Sequence, residues 1–101
     1  MNAKEAEALL QSYYTLLDKY ITKEDKERFR TSEELSILEQ VTDACIEAIA
    51  IVNGDEQKFK TCFELAKSRN KGLGWVKFDE YNAPKIALEI KALARIVAEP
   101  Q

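Results

Sequence analysis

From Ala3 to Ile21 the residues Leu9, Leu10, Tyr13, Leu16, Leu17, Tyr20 and Ile21 recur at intervals of three and four. Glu7, Gln11, Thr15, Asp18 and Lys19 fill the gaps between them. At ~3.6 residues per turn, the first set shares one face and the second set the other. The pattern predicts an amphipathic helix over about residues 3–21 with one buried side. Asn2, three residues before Glu5, has the spacing of an N-terminal cap for it.

The stretch Thr22–Arg30 is nearly all charge, with Phe29 its one large apolar side chain, and reads as a short charged extra helix or a connector over 22–30. Thr31 and Glu34 then have the reciprocal spacing of a capping box. The helix they open predicts an end near Asn53, where Asn53-Gly54 offers a left-handed stop. Its apolar positions form two adjacent stripes. One is Leu35, Leu38, Val41, Cys45, Ile49 and Val52; the other is Ile37, Ala44, Ala48 and Ile51. Only Ser36, Glu39, Gln40, Asp43 and Glu47 make a polar strip. A helix this apolar must be covered from several sides, so it is expected at the centre of the fold.

Asp55 has the cap position of a third helix, with Phe59, Cys62, Phe63 and Ala66 on a narrower apolar face and an end near Asn70. Residues 71–82 break the helical pattern with Gly72, Gly74 and a run of aromatic residues. Pro84 belongs in the first turn of a last helix, since deeper inside it would remove a hydrogen bond and clash. That helix is expected from about Ala83 to Glu99, with Ile86, Ala87, Ile90, Leu93, Ala94 and Val97 facing the core. The whole reads as all-α: a small antiparallel four-helix bundle with the extra charged element and the aromatic, glycine-bearing loop. At 101 residues it is expected to form one domain over 1–101.

Composition removes several chemistries. The chain has no histidine, which excludes Ser-His and Cys-His nucleophile pairs and histidine-held metals. Its cysteines, Cys45 and Cys62, fall on apolar helix faces and are expected as reduced core thiols. No apolar run approaches the ~20 residues of a membrane span. The start "MNAKEAEALLQ" lacks the basic flank and apolar block of a signal peptide, which leads to the expectation of a cytoplasmic protein. Net charge is −3, which disfavours nucleic acid as a partner.

The charge is unevenly placed. From Thr31 to Gln57 there are seven acidic residues and no Lys or Arg, and from Lys58 to Phe78 six basic residues and one Glu. Folding about Gly54 would bring Glu47 near Lys60, and Glu39 near Lys67 and Arg69, so that the opposite charges face each other along a hairpin. Glu39, Asp43 and Glu47 also have carboxylates four residues apart, as a divalent cation could use. No second helix supplies further carboxylates, so neither a metal nor a cofactor is expected.

Two groups of residues are candidates for recognition. The first surrounds the glycine-bearing loop: Arg69, Lys71, Trp75, Lys77, Phe78 and Tyr81. Aromatic rings among cations can anchor in a protein pocket, or stack on a base while the cations neutralise a phosphate. The same aromatics could instead close the end of the bundle, since an indole buries ~150–250 Å². The second group is Leu88, Ala92 and Ile96, a row on the last helix away from its core stripe and therefore a candidate for self-association.

The reading that follows is a non-enzymatic interaction protein that binds a macromolecular partner, most simply another protein, as an inhibitor, immunity factor or adaptor. A homodimer is compatible with it. The alternative is a helical ligand-binding protein that captures a small anion such as a nucleotide at a dimer interface, stacking it on Trp75, Tyr81 or the Tyr13-Tyr14 pair. Catalysis on the Glu39–Asp43–Glu47 strip ranks below both, because no spacing of Asp, Glu, Lys, Tyr or Cys forms a known catalytic set.

Overall fold

A computed structural model of the chain describes residues 1–69 and 83–99. These residues form helices and no strand: α1 Ala3–Leu17, α2 Lys23–Lys26, α3 Ser32–Ile51, α4 Glu56–Arg69 and α5 Ala83–Ala98. The all-α class and the short charged extra helix are as the sequence predicts.

The starts of the first four helices are set by side-chain caps that satisfy backbone N–H groups with no partner inside the helix. Asn2 Oδ1 accepts from the Glu5 N–H at 2.9 Å, and Asp55 Oδ1 from the Lys58 N–H at 3.1 Å. Thr31 and Glu34 form the expected box, each side chain accepting from the other's backbone N–H, at 3.1 and 3.3 Å. Thr22 and Asp25 form a second box at 3.2 and 3.0 Å, which lets a helix as short as α2 exist. Phe29 is buried just beyond it and anchors the connector to the core. Pro84 is the second residue of α5, within its first turn.

The end of α3 is a left-handed stop. Asn53 and Gly54 have φ of 56° and 74°, and the Gly54 N–H donates back to the Ile49 carbonyl at 2.8 Å. A Cβ at Gly54 would lie 3.2 Å from Cε1 of Tyr13. Glycine is therefore required there both by the sign of φ and by the approach of α1.

Helix α1 ends at Leu17, before the expected Ile21. Its last turn tightens, with the Tyr20 and Ile21 N–H groups both donating to the Leu17 carbonyl at 2.8 and 2.9 Å. The tightening turns the chain toward α4. Ile21 becomes fully buried, and Tyr20 meets Phe59 and Phe63 edge-on at 5.2 and 5.6 Å between ring centres. Within α1 only Leu17 is buried. Leu9 and Leu10, expected on a buried face, are 40% and 46% exposed; burial in α1 sets in only from Tyr13 onward.

Helix α3 packs mainly against α5, with smaller contacts to α1 and α4, and buries Val41, Ala44, Cys45, Ile46, Ala48 and Ile49, so it holds the expected central position. Its first turn does not: Leu35, placed by the pattern in a core stripe, is 50% exposed. Cys45 and Cys62 are free thiols in the core.

The expected pairing of α3 with α4 is overturned. These two helices make little contact with each other, and α5 packs along both. The charges follow the helices. Glu47 pairs with Lys91 of α5 at 3.2 Å, not with Lys60, and Arg69 pairs with Glu89 of α5 at 3.0 Å, not with Glu39. A tight turn sets how the chain leaves α3, but apolar faces decide which helix lies alongside it. The face of α5 formed by Ile86, Ile90 and Ala94, all fully buried, is the one that α3 and α4 share.

Candidate functional site: the outer face of α5

Helix α5 starts with a buried residue, Ala83, and Pro84 preorganises its first turn. From there it presents two faces of opposite character. Ile86, Ile90 and Ala94 point into the core, four residues apart, while Leu88, Ala92 and Ile96, also four apart, point away from it. Leu88 is 80% exposed and Ile96 67% exposed, with Ala92 exposed between them. Leu88 is the most exposed large apolar side chain within the described helices. All three residues of the predicted row are thus on the surface, on a helix that the core holds firmly from behind.

Each side of this ridge falls into a groove. On the α3 side lies a depression of about 470 Å³ with Asp43, Ala44 and Glu47 on one wall and Pro84, Ala87, Leu88 and Lys91 on the other. On the side facing the C-terminus of α4 lies one of about 340 Å³, bounded by Arg69, Leu88, Glu89, Ala92, Leu93 and Ile96. Leu88 borders both. The ion pairs Glu47–Lys91 and Arg69–Glu89 stand in these grooves. Pairs this exposed contribute only ~0–1 kcal/mol each; their larger effect is to place charge beside an apolar row.

Of the loop-centred candidates, Arg69 is exposed at the end of α4 and held by Glu89. Lys71, Trp75, Lys77, Phe78 and Tyr81 lie outside the described residues. The structure therefore brings Arg69 together with Leu88, Ala92 and Ile96 in one groove, joining two candidate groups that the sequence kept apart. The α3–α5 groove has no counterpart in the sequence reading. It exists because α5 rather than α4 lies along α3, and the one signal of it was the polar strip Gln40, Asp43 and Glu47.

Three groups with shifted titration, Cys45, Cys62 and Tyr20, line neither groove. Burial pushes the Cys45 thiol up to about 12 and also raises that of Cys62, so both stay protonated and poorly nucleophilic near neutrality. Tyr20 is raised by burial, then by the charge of Glu56 and by its hydrogen bond to that carboxylate at 3.3 Å. Among the described residues, no group of three or more Asp, Glu or Cys is placed to hold a metal ion. No helix among them is long and apolar enough to cross a membrane.

Fold and surface together define a small all-α protein with an outward apolar ridge between two grooves. The chain matches no family model, no curated protein and no solved structure.

Proposed function

We propose that the chain is a non-catalytic interaction protein that binds another protein through the outer face of α5, as an inhibitor, immunity factor or adaptor does. One observation carries this reading: Leu88, Ala92 and Ile96 form an exposed apolar row on a helix whose opposite face is fully buried. Scattered apolar residues on a surface need no explanation, but a row with a groove on each side has the form of a contact surface: a central anchor, apolar flanks and a charged rim. The rigid backing matters as well. A face that is already ordered loses little conformational freedom on binding.

The test is affinity capture from the native host with tagged wild-type chain, a Leu88→Glu/Ile96→Glu variant and a Leu9→Glu/Leu10→Glu variant, read by quantitative mass spectrometry. The reading expects one or more proteins captured by wild type and by the α1 variant, and lost with the α5 variant, whose melting temperature should match wild type. A capture profile indifferent to the α5 charges would refute it. Light scattering on the purified chain shows whether the occupant is a second copy, as a doubled mass that the same α5 variant reduces to monomer.

A further inference from the structure

We infer that the partner seated on α5 lays a basic amphipathic helix along the α3–α5 groove, its cations on Asp43 and Glu47 and its apolar side against Leu88. This rests on the reading of α5 as a contact surface and adds the chemistry of what that surface takes.

The groove is apolar where it is deep and acidic along one edge. Ala44 and Ala87 are short enough for another backbone to come close, and Leu88 forms an apolar lip. At about 470 Å³ the space lies within the ~300–1,000 Å³ of ligand-sized pockets. On the α3 edge Asp43 and Glu47 stand one turn apart. Among the described residues Lys91 is the only cation lining the groove, and Glu47 already engages it at 3.2 Å. Asp43 is exposed and has no ion pair among the described residues. Among the described residues, then, two carboxylates on this edge face one cation.

An arginine or lysine suits this geometry. Its aliphatic stem covers apolar surface such as Leu88 and Ala87, while its head reaches a carboxylate at the rim. Residues four apart on a helix are ~5–6 Å from each other. A partner helix with cations at that spacing would match Asp43 and Glu47 at both positions. The absence of any Lys or Arg between Thr31 and Gln57 keeps α3 from repelling such a segment.

The probe is a synthetic helical peptide of about four turns with a leucine row flanked by arginines four residues apart, followed by fluorescence anisotropy. Wild type should bind it, with affinity falling as ionic strength rises through ~0.1–0.5 M. Asp43→Asn/Glu47→Gln should weaken binding about tenfold or more, whereas Glu5→Gln/Glu7→Gln, an equal charge change on α1, should leave it unaltered. Lys91→Gln removes the same ion pair as Glu47→Gln but leaves both acids, and should tighten binding. No binding to wild type, equal weakening by the two acid pairs, weaker binding with Lys91→Gln, or equal binding of an arginine-to-glutamate peptide would each overturn the inference. Host capture separates the two levels. Partners lost with Leu88→Glu/Ile96→Glu but kept with Asp43→Asn/Glu47→Gln would sink the basic helix alone. Partners kept by both variants would sink the α5 reading as well.

Discussion

Helices α1 and α5 are written with the same grammar and end in different situations. Both repeat apolar residues at three- and four-residue steps over a similar length. Helix α5 buries Ala83, Ile86, Ile90 and Ala94, while α1 buries only Leu17. In α5 the apolar stripe runs the length of the helix and meets two others. In α1 residues 1–12 are all exposed, and contact begins only near Tyr13, whose ring lies over Gly54. An amphipathic pattern states that a helix has a face worth covering. Whether anything covers that face depends on how far neighbouring helices extend, a property of the assembled chain.

The comparison can be broken experimentally, and the largest effect should come from the α5 interior. Ile90→Ala deletes methyl groups at a fully buried position and should lower unfolding free energy by ~2–5 kcal/mol in urea titration. A loss below ~1 kcal/mol would mean that α5 is not gripped from two sides. Next comes the point where α1 does touch the core. Gly54→Ala forces a side chain into left-handed backbone at φ 74° and against the Tyr13 ring, for an expected cost of ~1–2 kcal/mol. Tyr13→Ala in the same background should recover the steric part and leave the backbone part. Smallest of all should be Leu9→Ala, within about 0.5 kcal/mol of wild type, as for surface positions generally. A loss near that of Ile90→Ala would show that α1 is covered in solution, and mass measurement would then tell whether a second copy covers it.

Much of the fold was legible because its signals are local. The caps at Asn2, Thr31 and Asp55 act within four residues, and the Asn53-Gly54 stop and the placement of Pro84 depend on backbone geometry alone. The burial of Ile86, Ile90 and Ala94 followed from a single periodicity. Misplacements arose wherever a conclusion needed two elements at once. Leu9, Leu10 and Leu35 have the right spacing for burial but stay exposed, since spacing does not say where a neighbouring helix will lie. Glu47 was assigned to Lys60 on the assumption that a tight turn makes its two helices pack together. Of the candidate contact surface, the row Leu88–Ala92–Ile96 could be read from helical phase, and the α3–α5 groove could not, since it is the seam between segments separated by α4.

The sequence by itself determined that the chain is helical, where its helices begin and where α3 stops, that its thiols lie inside, and that histidine-based chemistry is excluded. Each of these depends on residue identity or on interactions within a turn or two. Only the tertiary structure decided that α5 rather than α4 lies along α3, that Lys91 and Glu89 answer the charges of Glu47 and Arg69, and that Leu88 stands between two grooves. Burial of apolar surface is non-directional, so several pairings of the same amphipathic helices satisfy the same pattern. The choice among them comes from how well whole faces fit together.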